Sequence, residues 1–193
     1  MSIQPITPPR RLLTAAEYLE IGEVEPGYTE LVEGRLLVSP GPAADHAHAT
    51  VALILQLQPE LPAELEVLPG LDVDLELAPA DAPGTVRRPD LVLARREARA
   101  RVRQQGGTIR AAETVVALEI VSPGSRRMDH MMKRAEYADA GIPHYWIVDL
   151  DEPVSLLGCH LAGEFGYVDG GAATGVFRAA EPFPVEIDLD ALG

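Results

Sequence analysis

Apolar residues fall along this chain in short runs, and the most telling run is 115–121, Val-Val-Ala-Leu-Glu-Ile-Val. It is apolar except for Glu119, and Ser-Pro-Gly-Ser at 122–125 stops it, so it predicts a buried strand. Residues 126–140 have helical composition and end at Gly141 and Pro143. His-Tyr-Trp-Ile-Val-Asp at 144–149 reads as the next strand.

Upstream, Thr14-Ala15-Ala16-Glu17 has the Thr-x-x-Glu pattern of a capping box and predicts a short helix through about 21. Residues 28–32 and 35–38 predict two strands joined at Glu33-Gly34 as a hairpin. From about 45 to 61 the apolar positions predict a mostly buried helix, with Asp45 as its cap and Pro59 and Pro62 as its stop. A strand follows at 65–68, and the strict alternation at 71–77 predicts another with one wet face carrying Asp72 and Asp74. A loop covers 79–84, and 88–93 reads as a strand with Pro89 at its start, where a missing N–H is tolerated. Residues 95–105 form a basic helix-prone segment closed by Gly106-Gly107, and further strand-like pieces lie near 154–160, 164–168 and 185–189. Strands dominate and a helix crosses between two of them. The expected fold is therefore mixed α/β (α+β), a single domain over 1–193 with a Pro-rich arm at 1–13.

Composition narrows the picture. Hydrophobic residues at 47% and aromatics at 5% imply a core of Ala, Leu, Val and Ile. The one cysteine, Cys159, excludes an intramolecular disulfide and a multi-cysteine zinc site. The N-terminus has no apolar targeting segment, and no run approaches the roughly 18 apolar residues of a membrane span, so a soluble cytoplasmic protein without membrane partners is expected. The net charge of −14 argues against nucleic acid, but twelve of the sixteen basic residues lie between positions 87 and 134, with only five of the thirty acidic ones. That half of the chain offers either a local phosphate-facing surface or an arginine-rich solvated helix face.

The candidate chemistry starts from Glu119, since an ionised carboxylate in a buried strand costs several kcal/mol or more unless a cation or donors compensate it. If the strand after Asp90 pairs with that of Glu119, the two carboxylates could converge on a hard divalent cation, Mg²⁺ or Mn²⁺. Lys133 is the only lysine beside fifteen arginines. Near such a site it would supply a point charge for phosphate, or orient and deprotonate a water. Each residue also has a structural reading. Asp90 could accept backbone N–H bonds, Glu119 could pair with an arginine such as Arg88, and Lys133 could sit on an exposed face. Asp129 could serve only to hold Lys133 at i, i+4, and Tyr137, Tyr145 and Trp146 could be packing residues.

A set of motifs carries a resemblance: Glu30 in Tyr-Thr-Glu-Leu-Val, Ser-Pro-Gly-Pro with His46 behind it, Leu71-Asp72-Val73, Arg-Pro-Asp at 88–90, Leu-Glu-Ile-Val-Ser-Pro at 118–123, Arg-Arg-Met-Asp at 126–129, Lys133, and Gly-Ile-Pro-His-Tyr-Trp at 141–146. In order and spacing this set resembles the Uma-two family of restriction-endonuclease-like proteins in the PD-(D/E)XK nuclease superfamily. The resemblance implies a restriction-endonuclease-like core, a mixed sheet flanked by helices, and a metal-dependent endonuclease hydrolysing DNA phosphodiester bonds. It implies Asp90 and Glu119 as metal ligands for Mg²⁺ or Mn²⁺, and Glu30, Asp90, Glu119 and Lys133 as catalytic residues. His46, Arg88 and Arg126 are expected to contact substrate, and residues 95–103 to track the DNA backbone. A homodimer would suit an enzyme addressing two strands. The sequence departs from the superfamily pattern at Val121, where its lysine would sit, and Lys133 on the next helix fits the missing role. The alternative is a catalytically inactive nuclease-fold module with a binding or regulatory role; a phosphohydrolase of small substrates is a third reading.

Overall fold

The computed structural model describes residues 11–22, 27–122 and 124–193, so most of the proline-rich arm lies outside the described residues. Helix α1 (Ala15–Ile21) starts as the capping box predicts, with Thr14 Oγ1 accepting from the Glu17 N–H and the Glu17 carboxylate accepting from the Thr14 N–H. Strands β1 (Tyr28–Val32) and β2 (Arg35–Ser39) form the expected antiparallel hairpin. Glu33 and Gly34 both take positive φ, as a two-residue turn between twisted strands requires. Gly34 could carry no side chain in any case, because a Cβ would lie 2.7 Å from that of Leu12.

Helix α2 (Ala44–Leu57) buries Ala49, Leu53 and Leu57. Its N-cap is Ala43, without a side-chain hydrogen bond, so Asp45 is a first-turn residue and not the cap. Position 45 still suits the positive end of the helix dipole. β3 (Leu65–Pro69) follows as expected. The alternation at 71–77 yields only a two-residue strand, β4 (Val73–Asp74), because Glu76 turns to φ 51° with its N–H bonded to the Asp74 carboxylate. The proposed wet face is partly spent as well, since Asp72 Oδ1 accepts from Arg88 Nε at 2.8 Å.

The Arg-Pro-Asp segment links two strands instead of starting one. β5 (Val86–Arg87) lies before it and β6 (Leu91–Arg95) after it. The basic helix α3 (Arg96–Gln105) is followed by β7 (Ile109–Arg110) and the long buried strand β8 (Thr114–Val121). The helix predicted over 126–140 is in two parts, a π-helical stretch at Met128–Lys133 and then α4 (Arg134–Asp139). β9 (His144–Asp149), β10 (Ser155–Leu161), β11 (Tyr167–Thr174), β12 (Val176–Ala179) and β13 (Val185–Asp188) complete the order.

The fold is α+β, with mixed sheets and four α-helices among the described residues. The larger sheet has the order β11-β10-β9-β8-β6-β3, with β8 and β9 parallel across the helical connection and its other pairs antiparallel. Alternation divides its core. Val116, Leu118 and Ile120 face α2 and the β12–β13 hairpin, while Ala117 and Val121 face the layer containing Ala98, Tyr137 and Ile142. A second sheet, β2-β1-β5-β4-β7, holds a small core of Leu13, Tyr18, Leu31 and Val86. Among the described residues no helix is long and apolar enough to cross a membrane.

Candidate functional site

Strand pairing brings Asp90 and Glu119 together. Leu91 pairs with Leu118 and Val92 with Ala117 in the antiparallel β6–β8 ladder, so the same register sets Asp90 opposite Glu119. Glu119 shares the parity of Ala117 and points away from the core under α2, whereas Asp90, just before β6, turns its carboxylate to the start of α2. Asp90 Oδ2 accepts the Ile120 N–H at 2.7 Å, and its Oδ1 lies 3.0 Å from His46 Nε2 in the first turn of α2. That hydrogen bond raises the His46 pKa above its ordinary value, against the opposing effect of burial.

Glu119 is 3% exposed and is paired with Lys133, whose Nζ lies 2.9 Å from Oε1; its partner is not Arg88. Tyr137 Oη donates to the same oxygen at 2.7 Å, so the tyrosine is more than packing. Glu30 arrives from β1 in the other sheet, with Oε1 3.6 Å from Lys133 Nζ and accepting the Arg88 N–H at 2.9 Å. Its Oε2 accepts from Arg87 Nη1 at 3.1 Å. Asp129 joins from the π-helical stretch, its Oδ1 3.6 Å from Lys133 Nζ. Glu30, Glu119, Asp129 and Lys133 are thus assembled, with Asp90 and His46 beside them.

Arg87 is the residue that sequence reasoning missed. Its guanidinium is 0% exposed and holds Glu136 by two hydrogen bonds, at 2.6 and 2.8 Å, as well as Glu30. Arg87 and Arg88 form one basic pair in the sequence, and only the parity of the two-residue β5 decides which turns inward. Arg88 instead binds Asp72 and lies 5.9 Å from the centre of the Tyr28 ring. Arg126 is half-exposed and its guanidinium is bonded to Asp149 and Asp151, so it is not brought to the cluster. The basic helix is similarly engaged, since Arg96 and Arg99 pair with Glu66, and Arg101 with Glu113. Arg95 and Arg103 remain exposed at its ends.

The electrostatics define what this cluster can do. Burial by itself would depress the Lys133 ammonium, but Glu119, Glu30 and Asp129 outweigh it and hold its pKa above the ordinary lysine value. Lys133 is therefore a fixed positive charge and not a proton acceptor near neutrality. Burial raises Glu119 well above the ordinary carboxylate value; Lys133 opposes this, and Asp90, Asp129 and Glu30 reinforce it. Asp129 is raised by burial in the same way. Among the described residues, the carboxylates of Glu30, Glu119, Asp129 and Glu136 pair with two permanent cations, Arg87 and Lys133, and Asp90 faces His46 beside them.

A buried excess of negative charge calls for protons or another cation. The donors are all oxygens, which suits Mg²⁺ or Mn²⁺, and Asp129 Oδ1 is buried without a hydrogen bond. The residues thus fit a hard divalent ion in kind. No group of three His, Cys, Asp or Glu side chains among the described residues already stands in metal-holding geometry, and Lys133 Nζ occupies the space between the carboxylates.

A family model described as "Putative restriction endonuclease", Uma2, matches residues 15–175. Among solved structures the chain is similar to a "putative nuclease belonging to DUF820" from Anabaena variabilis, with 16% identity, 93% of this chain and 97% of that chain covered, and a TM-score of 0.68. At that identity the likeness shows a common fold. No curated protein matches the chain in sequence.

Proposed function

We propose, because the chain belongs to the Uma2 (Uma-two) family described as "Putative restriction endonuclease", that it hydrolyses DNA phosphodiester bonds with Mg²⁺ or Mn²⁺. The observation that carries this reading is the convergence of Glu119 and Lys133 at 2.9 Å, with Asp90 anchored on the N–H of the next residue in the same strand. Asp90 and Glu119 would hold the cation, which when bound supplies Lewis-acid charge and lowers the pKa of a water.

The remaining roles belong to the protein's own side chains. Lys133, held protonated, stabilises negative charge developing on the phosphoryl oxygens, a contribution of about 10²–10³ in kcat for one well-placed donor. Glu30 orients the lysine from the opposite sheet and is itself fixed by Arg87 and the Arg88 N–H. Tyr137 sets the Glu119 carboxylate, and His46 sets that of Asp90.

The test is nicking of supercoiled plasmid and cleavage of labelled duplex with Mg²⁺ or Mn²⁺, wild type beside Glu119→Gln and Lys133→Met. Wild-type cutting that EDTA stops and both substitutions reduce at least about a hundredfold supports the reading. Equal activity in all three preparations identifies a contaminant. The rival, a nuclease-fold module that binds without cutting, is favoured by the engagement of Lys133 with three carboxylates. It predicts duplex binding without cleavage under every metal condition.

A further inference from the structure

We propose that Tyr28 is a substrate-contacting residue of this site, its hydroxyl donating to a non-bridging oxygen of a DNA phosphate; the inference rests on the phosphodiester-cleaving reading above. Strand parity places the side chain. In β1, Thr29 and Leu31 turn to the α1 side, where Thr29 Oγ1 meets the Tyr18 hydroxyl and Leu31 joins Leu13, Tyr18 and Val86. Tyr28 and Glu30 therefore share the opposite face, roughly 7 Å apart along the strand. Glu30 is buried inside the cluster, while Tyr28 is part-buried opposite Ser39, at the open end of the β1–β2 hairpin. Arg88 ties the two together, giving its N–H to Glu30 Oε1 at 2.9 Å while its guanidinium lies 5.9 Å from the centre of the Tyr28 ring.

Of the five tyrosines, the other four donate their hydroxyls to protein acceptors: Tyr18 to the Thr29 carbonyl, Tyr137 to Glu119, Tyr145 to the Asp129 carbonyl and Tyr167 to the Ile142 carbonyl. The Tyr28 hydroxyl makes no hydrogen bond among the described residues. Burial raises its pKa above the ordinary tyrosine value, with Lys133 opposing and Glu30, Asp90 and Glu119 reinforcing, so it stands among the charges of the cluster and keeps its proton. A phosphodiester entering this site meets an excess of carboxylates and needs donors that they have not taken. Lys133 is shared by three of them. Arg88 is engaged by Asp72, and Arg126 by Asp149 and Asp151. Tyr28 supplies a donor at the rim of the cluster without adding charge.

The test compares wild type and Tyr28→Phe on labelled duplex in Mn²⁺, by cleavage where the wild type cuts and by affinity where it only binds. Tyr28→Phe removes one oxygen that bonds nothing among the described residues, so Tm should stay at the wild-type value. Its kcat/KM, or its affinity, is expected to fall about tenfold or more, the usual loss of a hydrogen bond to a charged group. Duplexes with one phosphate at a time replaced by methylphosphonate locate the contact. At the contacted phosphate the replacement should cost the wild type at least about tenfold more than it costs Tyr28→Phe, a coupling that a packing role would not produce. Tyr28→Phe within about twofold of wild type, a loss of activity together with Tm, or an unchanged methylphosphonate profile overturns this inference and leaves the proposed function standing. Wild type that neither cuts nor binds duplex overturns both.

Discussion

Arg87 is the side chain whose loss is expected to cost this protein most. It is fully buried and faces two carboxylates from different parts of the chain, so Arg87→Met strands Glu136 without a counter-charge and leaves Glu30 only the longer contact to Lys133. Removing one partner of a buried ion pair costs about 3–5 kcal/mol, and urea unfolding should show a drop of that order. Arg87→Lys is expected to recover only part, because one ammonium cannot reproduce the fork that grips Glu136 at two points. The Glu119 carboxyl gives a pH prediction of defined sign. Its folded pKa is raised above the ordinary 4.5, so the folded state binds a proton more tightly than the unfolded chain does. Stability must then fall as pH rises from about 4.5 through the raised value, opposite to the usual salt-bridged carboxylate. Unfolding curves of metal-free protein between about pH 5 and pH 8 should slope downward more in wild type than in Glu119→Gln. Asp90, Glu119 and Lys133 could be singled out in the sequence because a carboxylate in an apolar strand and a lone lysine are anomalies within a few residues of their neighbours. Asp129 was legible as the i, i+4 partner of Lys133, but Tyr137 and Arg87 act through contacts 18 to 57 positions away, which no local pattern announces.

At the scale of elements, the features readable beforehand are those whose physics is local. The capping box of α1 and the Glu33-Gly34 turn each depend on a handful of adjacent residues. Thr14→Ala is expected to cost about 1 kcal/mol in chemical denaturation, the usual value of such a cap. The strands β4, β5 and β7 hold two residues each, too few for a period to register, and they exist only because neighbouring chains supply the hydrogen bonds. The π-helical stretch has the composition of an ordinary helix, so no pattern in the sequence distinguishes the two. Asp129 and Lys133, four positions apart, both turn inward from it. Deleting Met132, which is exposed, would shorten that spacing by one position. The deletion is expected to abolish cleavage while circular dichroism retains the folded signature.

Over the whole molecule, the positive charge concentrated in the middle of the sequence is largely consumed by internal pairing. Arg87, Arg88, Arg96, Arg99, Arg101, Arg126 and Arg134 all hold carboxylates. Counting charge along the chain could not reveal this, because the partners come from distant segments. DNA binding by Glu119→Gln should accordingly depend only mildly on salt. A slope of log K against log salt no steeper than about −4 is expected, since each phosphate contact contributes about −0.9.

The cluster is also shared between two sheets. Glu30 and Arg87 stand on the five-stranded one, Asp90 and Glu119 at the six-stranded one, and only Arg88, Pro89 and Asp90 join β5 to β6. The β1–β2 end of the smaller sheet rests on a core of four buried residues, while Val73 and Ile109 at its other end join one of the two extensive cores. Partial opening of the β1–β2 hairpin would therefore be the cheapest excursion from the native state, and it would carry Glu30 away while the larger sheet stayed intact. Amide exchange should find β1 and β2 protected less than β8 and β9. Under the proposed function, cleavage should fade on warming before the main unfolding transition, so that the site is less durable than the fold that carries it.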